Sequence, residues 1–271
     1  MSTTSVEIQG ATYHLGASAE DASVSDSAVA AGVAFLKQAV REAHDDMGLV
    51  SQGHLDVLPR SEAARTALEA ARTALEAART AVHAGHPDHS IAAAKYAVVG
   101  ALADQVVQHM REAAHVTSVY VVSGECGTFS IDFDAVLDVP SDLRGALWLE
   151  MIRGLRPGVV KGGIAVAGRR VPNSADGDAD IVAVYARSGA EAALSAILVA
   201  DSAGLSDRAK NQAIPATEDI WDALSKGVRV LSPLRQANLV RTGVLALRGR
   251  GRCVGQIAQD RLLRFGVSDW R

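Results

Sequence analysis

The stretch that decides the fold class is Val116-Thr-Ser-Val-Tyr-Val-Val-Ser123, which is followed after Gly124-Glu-Cys-Gly127 by Thr128-Phe-Ser-Ile-Asp-Phe-Asp-Ala-Val-Leu137. The first segment is rich in β-branched residues. The second alternates apolar side chains with Ser and Asp, which is the period of a half-buried strand. The two glycines between the segments indicate a tight turn. The stretch therefore predicts two antiparallel strands in the middle of the chain.

Upstream of these strands the sequence predicts a helical hairpin. The motif Ala63-Ala-Arg-Thr-Ala-Leu-Glu69 recurs at a spacing of seven, so that Leu68, Leu75 and Val82 take equivalent places with alanines between them. This is the pattern of a coiled-coil seam. The segment 90–114 carries a matching apolar stripe, and Gly85-His-Pro87 predicts the turn that joins the two helices. Leu75, the central member of the series, is expected to be buried in the seam.

Downstream of the central stretch we predict one more strand pair and then helices. The pair is 164–171 and 180–187, on either side of a polar loop. The capping box Ser188-Gly-Ala-Glu191 predicts the start of a helix. Ser232-Pro233 is a second start signal, because proline is favoured at the first helical position. This helix should continue until Arg248-Gly-Arg-Gly-Arg252 breaks it, so the last third of the chain is predicted to be helical.

These patterns predict an α+β protein that is predominantly helical, with a small antiparallel sheet in the middle. We expect an extended N-terminal arm over 1–28 and a helical region with the hairpin over 29–115. The small sheet with one helix follows over 116–188, and a helical region with a basic segment covers 189–271. Because residues 1–28 contain too few apolar residues to form a core, the arm is expected to pack on another copy of an otherwise compact domain.

Composition and length exclude several classes of protein. The chain has 271 residues, of which 48% are apolar, so intrinsic disorder is not expected to be its main state. No apolar run approaches the ~20 residues of a membrane-spanning helix, and the first residues lack a signal-peptide pattern. Cys126 and Cys253 are the only cysteines, which excludes a disulfide scaffold. The expected location is therefore the cytoplasm or a virion, without membrane contact.

Charge is distributed unevenly along the chain. Residues 1–60 carry a net charge of −5 and residues 61–224 a net charge of −7. Residues 225–271 contain ten basic residues against Asp260 and Asp269, which gives a net charge of +8. An acidic body with a basic end is typical of proteins that bind a polyanion or an acidic neighbour.

The arginines of this basic segment are the predicted nucleic-acid contacts. They are Arg229, Arg235, Arg241, Arg248, Arg250, Arg252, Arg261 and Arg264. Guanidinium groups form bidentate bonds to phosphate, and the glycines of 248–252 predict a flexible backbone there. Few aromatic residues are interleaved, so phosphate contact is expected to outweigh base stacking. Two other interpretations stay open: pairing with the acidic body of a neighbouring subunit, and a solvated basic surface.

Two clusters have the donor types of a metal site. They are His83, His86 and His89, and the acidic series Asp176, Asp178 and Asp180. The histidines, spaced by three, have zinc-binding nitrogens, but they also fall at a predicted helix end where polar residues are common. The alternating carboxylates suit calcium, but a solvated hairpin loop has the same composition. We predict no cofactor from either cluster.

Candidates for catalysis are few. Asp132 and Asp134 share one strand face and could form an acid–base pair, although the alternation around them also predicts a wet strand face. Cys126 would need an activating base, and all eight histidines precede residue 116. The sequence contains no phosphate-binding loop, nucleophile elbow or kinase signature. No catalytic residue is therefore predicted.

We interpret the chain as a non-enzymatic structural protein that self-assembles and coats or packages nucleic acid, with RNA favoured. Its layout, an arm, a helical body and an arginine-rich end, resembles that of small viral coat and nucleocapsid proteins. The alternative is a cytoplasmic bacterial enzyme or ligand-binding protein with a pocket near the middle sheet. In that case Asp132, Asp134, Cys126 and Arg153 would be the site residues.

Overall fold

A single antiparallel sheet organises the chain. The computed structural model describes residues 1–51, 59–78, 94–155, 158–171 and 175–270. The strands are β1 Ser2–Ile8, β2 Ala11–Ser18, β3 Ser118–Ser123, β4 Cys126–Ile131, β5 Lys161–Ala167, β6 Ile181–Ala186, β7 Val240–Leu247, β8 Arg250–Val254 and β9 Asp269–Trp270. They lie side by side in chain order, and only the β8–β9 pair is parallel. The prediction of a small sheet in a predominantly helical protein was therefore wrong.

Helices cover both faces of this sheet. They are α1 Ala22–Ser51, α2 Glu62–Ala77, α3 Ala94–Ala113, α4 Leu147–Gly154, α5 Gly189–Ser202, α6 Asp207–Lys210, α7 Thr217–Gln236 and α8 Gln259–Leu262. Helices α1, α3, α5 and α7 pack on one face, and α2 packs on α3 and α5. The short helices α4 and α8 belong to the core on the opposite face. Within the described part of the chain, no helix has both the length and the apolar character that a bilayer span requires.

The central strands are buried on both sides. Val119 and Val121 of β3 belong to the core beneath the long helices α1, α3, α5 and α7, which we call the helix-side core. Tyr120 and Val122 belong to the core on the other face. A strand covered on both faces needs apolar residues at every position, and it loses the polar–apolar alternation that identifies a half-buried strand. This explains why the sequence pattern indicated too little sheet.

The N-terminal segment is part of the sheet and not an extended arm. Residues Gln9 and Gly10 form a two-residue turn with φ of +51° and +78°, which joins β1 to β2. Strand β2 then pairs with β3. Its inward-facing side chains, Tyr13, Leu15 and Ala17, are buried in the helix-side core. The apolar content of this segment is sparse, but alternation directs all of it to one face.

The C-terminal third is not continuously helical. Helix α7 passes through Pro233 to Gln236, and β7 follows where we predicted more helix. All of β7 except Arg241 is buried, so its apolar residues show no strand period. Arg248 and Gly249, with φ of +51° and +79°, form the turn into β8. The basic run is thus a hairpin and not a helix break.

Other predicted elements are confirmed. Strands β3 and β4 and strands β5 and β6 form the two predicted antiparallel pairs. The predicted start of α5 at Ser188 is also confirmed, because the Ser188 side chain caps the helix by accepting a hydrogen bond from the backbone N–H of Glu191 at 3.2 Å.

The predicted helical hairpin is described only in part. Helices α2 and α3 do pack together, but the joining turn at 85–87 lies outside the described residues. The buried face of α2 is mostly alanine, and Leu68 is its large buried side chain. Leu75 is half-buried, so its predicted place inside the seam was wrong. The small alanine side chains let α2 approach α3 and α5 closely, so the alanines and not the leucines of the repeat determine which face of α2 is buried.

Leu68 and Leu75 allow a matched stability test. Leu68 is 3% exposed, so Leu68→Ala should lower the free energy of unfolding by about 2–4 kcal/mol through lost burial and the remaining cavity. Leu75→Ala, one heptad later, should cost about 1 kcal/mol, because part of that side chain already contacts water. Urea unfolding followed by circular dichroism measures both. Equal losses would mean that both leucines lie in the core.

Candidate nucleic-acid interface

One end of the sheet collects cationic side chains from four elements and from the residue that follows β6. At this end α3 and β4 finish, β5 begins, β6 finishes, and α7 leads into β7. We call these side chains the basic band: Arg111, Lys161, Arg187, Arg235 and Arg241. Antiparallel pairing brings them together although 130 positions separate the first from the last.

The larger of two clefts at this end has a volume of about 690 Å³ and lies between α3, β4 and the start of β5. Arg111 donates to Ser130 Oγ at 3.0 Å and to Asp132 Oδ1 at 2.7 Å. Lys161 lies directly opposite Ser130 in the β4–β5 register. Phe133 also lines this cleft, with 76% of its surface exposed. The cleft thus has a cationic wall beside an accessible aromatic ring.

A carboxylate from α3 closes the inner part of the same cleft. Asp104 accepts hydrogen bonds from the Thr128 hydroxyl at 2.6 Å and from the backbone N–H groups of Gly189 at 2.7 Å and Ala190 at 3.2 Å. It therefore caps the N-terminus of α5. Burial raises the pKa of Asp104 to about 6, the three hydrogen bonds oppose that rise, and Glu191 adds a small further increase.

The second cleft, of about 280 Å³, lies at the same end on the opposite face of the sheet. The Tyr185 hydroxyl donates to the backbone oxygen of Lys161 at 2.9 Å and accepts a bond from Arg241 Nη1 at 3.2 Å. Arg235, Gln256 and the buried Thr242 complete its polar lining. The Tyr185–Lys161 contact thus connects the walls of the two clefts.

The members of the band differ in their electrostatic partners. Arg111 forms an ion pair with Asp132, and Arg187 forms one with Glu191. Among the described residues, no carboxylate lies within 4.0 Å of Lys161, Arg235 or Arg241. Their three charges are therefore available to an anionic ligand.

The eight arginines predicted from the sequence do not form one surface. Arg235 and Arg241 belong to the band. Arg248 lies at the far end of β7, seven residues and therefore about 23 Å from Arg241. Arg229 and Arg264 are exposed on α7 and in the 3₁₀ helix that follows α8. The sequence predicted one arginine patch on the C-terminal segment. In the structure these arginines are distributed between both ends of the sheet.

Besides Arg241, which donates to the Tyr185 hydroxyl, three of these arginines contact groups within the protein. Arg250 donates to the Thr217 hydroxyl at 3.1 Å, and Arg252 lies 4.9 Å from the centroid of the Trp221 ring. Arg261 forms a hydrogen bond of 3.0 Å with Glu150. These contacts hold the guanidinium groups against the fold, and the backbone over 248–252, which was predicted to be flexible, forms a β-hairpin.

The candidate metal clusters have two outcomes. His83, His86 and His89 lie outside the described residues. In the acidic series, Asp178 accepts from the backbone N–H of Leu205 at 2.8 Å and pairs with Lys210 at 3.1 Å, while Asp180 accepts from the N–H of Arg248 at 2.6 Å. Asp176 is exposed. Across the described ranges, no group of three His, Cys, Asp or Glu side chains is arranged to hold a metal ion.

The candidate catalytic residues are dispersed. Asp132 belongs to the large cleft, and Asp134 is exposed in the following loop. Cys126 lies at the opposite end of β4, and burial raises the pKa of its thiol to about 12, so the thiolate is disfavoured. Arg153 pairs with Glu150 on α4. These four side chains do not form one site.

Sequence reasoning missed Arg111, Lys161 and Arg187, the part of the band that comes from the middle of the chain. Lys161 is the first residue of β5, Arg187 directly follows β6, and Arg111 lies in the last turn of α3. A search for charges at element boundaries would have found them, whereas a search along the chain favours the C-terminal run.

Comparison with known proteins adds no relative. No family model matches the chain, and no curated protein resembles it in sequence.

Proposed function

We propose that this protein is a non-enzymatic structural protein that binds nucleic acid along the basic band and coats it as a homo-oligomer, with RNA as the favoured ligand. The observation that supports the proposal is the combination of uncompensated cations with an exposed aromatic ring at one end of the sheet. Single-stranded nucleic acids are bound by this pairing of a positive groove with a stacking surface.

The cations supply the phosphate contacts. Lys161, Arg235 and Arg241 have no ion-pair partner among the described residues, and they line two clefts that share a wall. A flexible strand can follow this wall from one face of the sheet to the other. Each phosphate contact releases condensed counterions, so binding should weaken steeply with salt.

Phe133 supplies the stacking surface. Its ring is 76% exposed beside Arg111 and Lys161, and an exposed phenylalanine in a cationic cleft has no packing role in the core. Because every base has a flat apolar face, this contact is compatible with a coat that binds without regard to sequence.

Replacing the three uncompensated cations tests the proposal. The triple variant Lys161→Gln, Arg235→Gln, Arg241→Gln should reduce the slope of log affinity against log salt by about 2, because each contact to single strands contributes about 0.7. Fluorescence anisotropy with a labelled poly-U oligonucleotide at several salt concentrations measures the slope. The reduction should be the same for other base sequences.

A second triple variant of equal charge is the control. Arg229→Gln, Arg248→Gln, Arg264→Gln removes three exposed arginines of the C-terminal segment that lie outside the band. It should leave the slope nearly unchanged. If only this control reduces the slope, the C-terminal arginines and not the basic band bind the nucleic acid. If neither variant changes the slope, neither surface binds nucleic acid.

A small anionic ligand is the second candidate function. The volume of the larger cleft, about 690 Å³, lies within the range of small-molecule sites, and Arg111, Lys161 and Arg187 provide cationic groups along its lining. Titration with a mononucleotide and with oligonucleotides of increasing length distinguishes the two candidates. Affinity that increases with length supports the coat, whereas full affinity for the mononucleotide supports the ligand site.

A further inference from the structure

Strand β1 forms one edge of the sheet and has a neighbour on one side only. Its hairpin turn has two residues, so Ile8 and Ala11 are the hydrogen-bonded pair that closes the turn. Hydrogen-bonded pairs alternate along an antiparallel ladder, and the backbone groups of Thr3, Ser5 and Glu7 consequently point away from β2. The Ser5–His14 side-chain contact of 2.8 Å agrees with this phase, because side chains approach most closely at a non-hydrogen-bonded pair.

The β1 edge lacks most of the features that usually prevent strands from pairing between molecules, and Glu7 is its single charged residue. Its sequence, Ser2-Thr-Thr-Ser-Val-Glu-Ile8, contains no proline or lysine, and its register with β2 has no bulge. The opposite edge of the sheet is different, because β9 has only two residues and Arg250 and Asp269 form an ion pair there. Within the described chain, β1 is therefore the long unprotected edge.

We propose that β1 pairs antiparallel with β1 of a second copy of this chain, which joins the two sheets into one. Among the registers that align the outward-facing residues, pairing centred on Ser5 places Glu7 of each copy opposite Thr3 of the other. The strand's single charge then meets a neutral hydroxyl, and no like charges face each other. The half-buried Val6 and Ile8 come to lie opposite Thr4 and Ser2, which covers more of their surface.

This contact deepens the self-assembly part of the proposed function and rests on it, but it requires no nucleic acid. A coat needs a contact between copies, and a two-fold contact leaves the basic band free because the band begins at α3 and β4 and does not include β1. Measurements on protein free of nucleic acid therefore separate the two proposals.

Proline at Ser5 is the first test. Ser5→Pro removes an N–H that points outward, so it blocks intermolecular pairing without removing a bond to β2. Sedimentation velocity should show a wild-type dimer and a Ser5→Pro monomer with unchanged circular dichroism. Ser5→Ala, which keeps the N–H but loses the contact with His14, should remain a dimer.

Charge at Thr3 tests the register and avoids any effect of proline on folding. Within one chain Thr3 faces Gly16, so Glu and Lys at position 3 have equivalent surroundings in the monomer. In the dimer Thr3→Glu would face Glu7 and Thr3→Lys would complement it, which should separate their dimer dissociation constants by about tenfold. A monomeric wild type, or a dimer equally stable with Glu and Lys, would overturn the proposal.

Discussion

Replacing Gly100 with alanine is expected to lower the free energy of unfolding by about 3 kcal/mol, although alanine stabilises an isolated helix by about 1 kcal/mol relative to glycine. The reason is the crossing of α3 and α5. A Cβ at Gly100 would lie 2.1 Å from the backbone oxygen of Gly189 and 2.6 Å from the backbone nitrogen of Ala190. Backbone atoms cannot rotate away, so the two helices must separate. Urea unfolding of the variant measures the loss.

Gly32→Ala in α1 is the matched control, because it is also a glycine in the interior of a helix. Its Cβ would lie 2.6 Å from Cγ and 2.7 Å from Sδ of Met110, which are side-chain atoms that can move by rotation about χ1. We expect a smaller loss of unfolding free energy than at Gly100, about 1 kcal/mol. A loss at Gly32 equal to that at Gly100 would mean that general crowding of the helices, and not the backbone contact between α3 and α5, causes both effects.

Sequence signals within a few residues predicted the elements whose start or pattern depends on neighbouring residues. The Ser188–Glu191 box predicted the start of α5, and the alternation over 128–137 predicted β4. The signals failed where burial on both faces makes a strand apolar throughout, as in β7, which was predicted as the continuation of a helix. The helix start predicted at Ser232-Pro233 was also wrong, because Pro233 lies inside α7, which begins at Thr217. Propensity cannot distinguish a buried strand from a buried helix when the periodicity is absent.

The candidate site was harder to predict because it depends on pairing between distant segments. The C-terminal run of arginines is dense along the chain, but the extended strand β7 places Arg241 and Arg248 at opposite ends of the sheet. Lys161 is an isolated basic residue in the sequence, and only its register opposite Ser130 brings it close to Arg111. Charge composition thus predicted a polyanion partner without predicting the surface.

Asp104 links the site to the stability of the fold. Asp104→Ala would leave the Thr128 hydroxyl and the N–H groups of Gly189 and Ala190 without their acceptor, and it should lower the free energy of unfolding at pH 7 by about 3 kcal/mol. Asp104→Asn should cost less. Its amide oxygen can replace Oδ1, which accepts two of the three bonds, while its NH₂ group faces Ala190 in place of Oδ2.

The pH dependence of stability separates the charge of Asp104 from its hydrogen bonds. Burial raises the pKa of this carboxyl to about 6 in the fold, above the value near 3.9 of an unfolded chain. The folded state therefore binds the proton more tightly, and this stabilisation is complete below about pH 4 and lost as the pH rises through about 6. The shift corresponds to at most about 3 kcal/mol.

Urea unfolding between pH 4 and 7 should show this decrease in the wild type and a flatter profile in Asp104→Asn, because an amide does not titrate. If the variant keeps the wild-type profile, another group is responsible for it, and Asp104 acts in the fold only as the cap of α5.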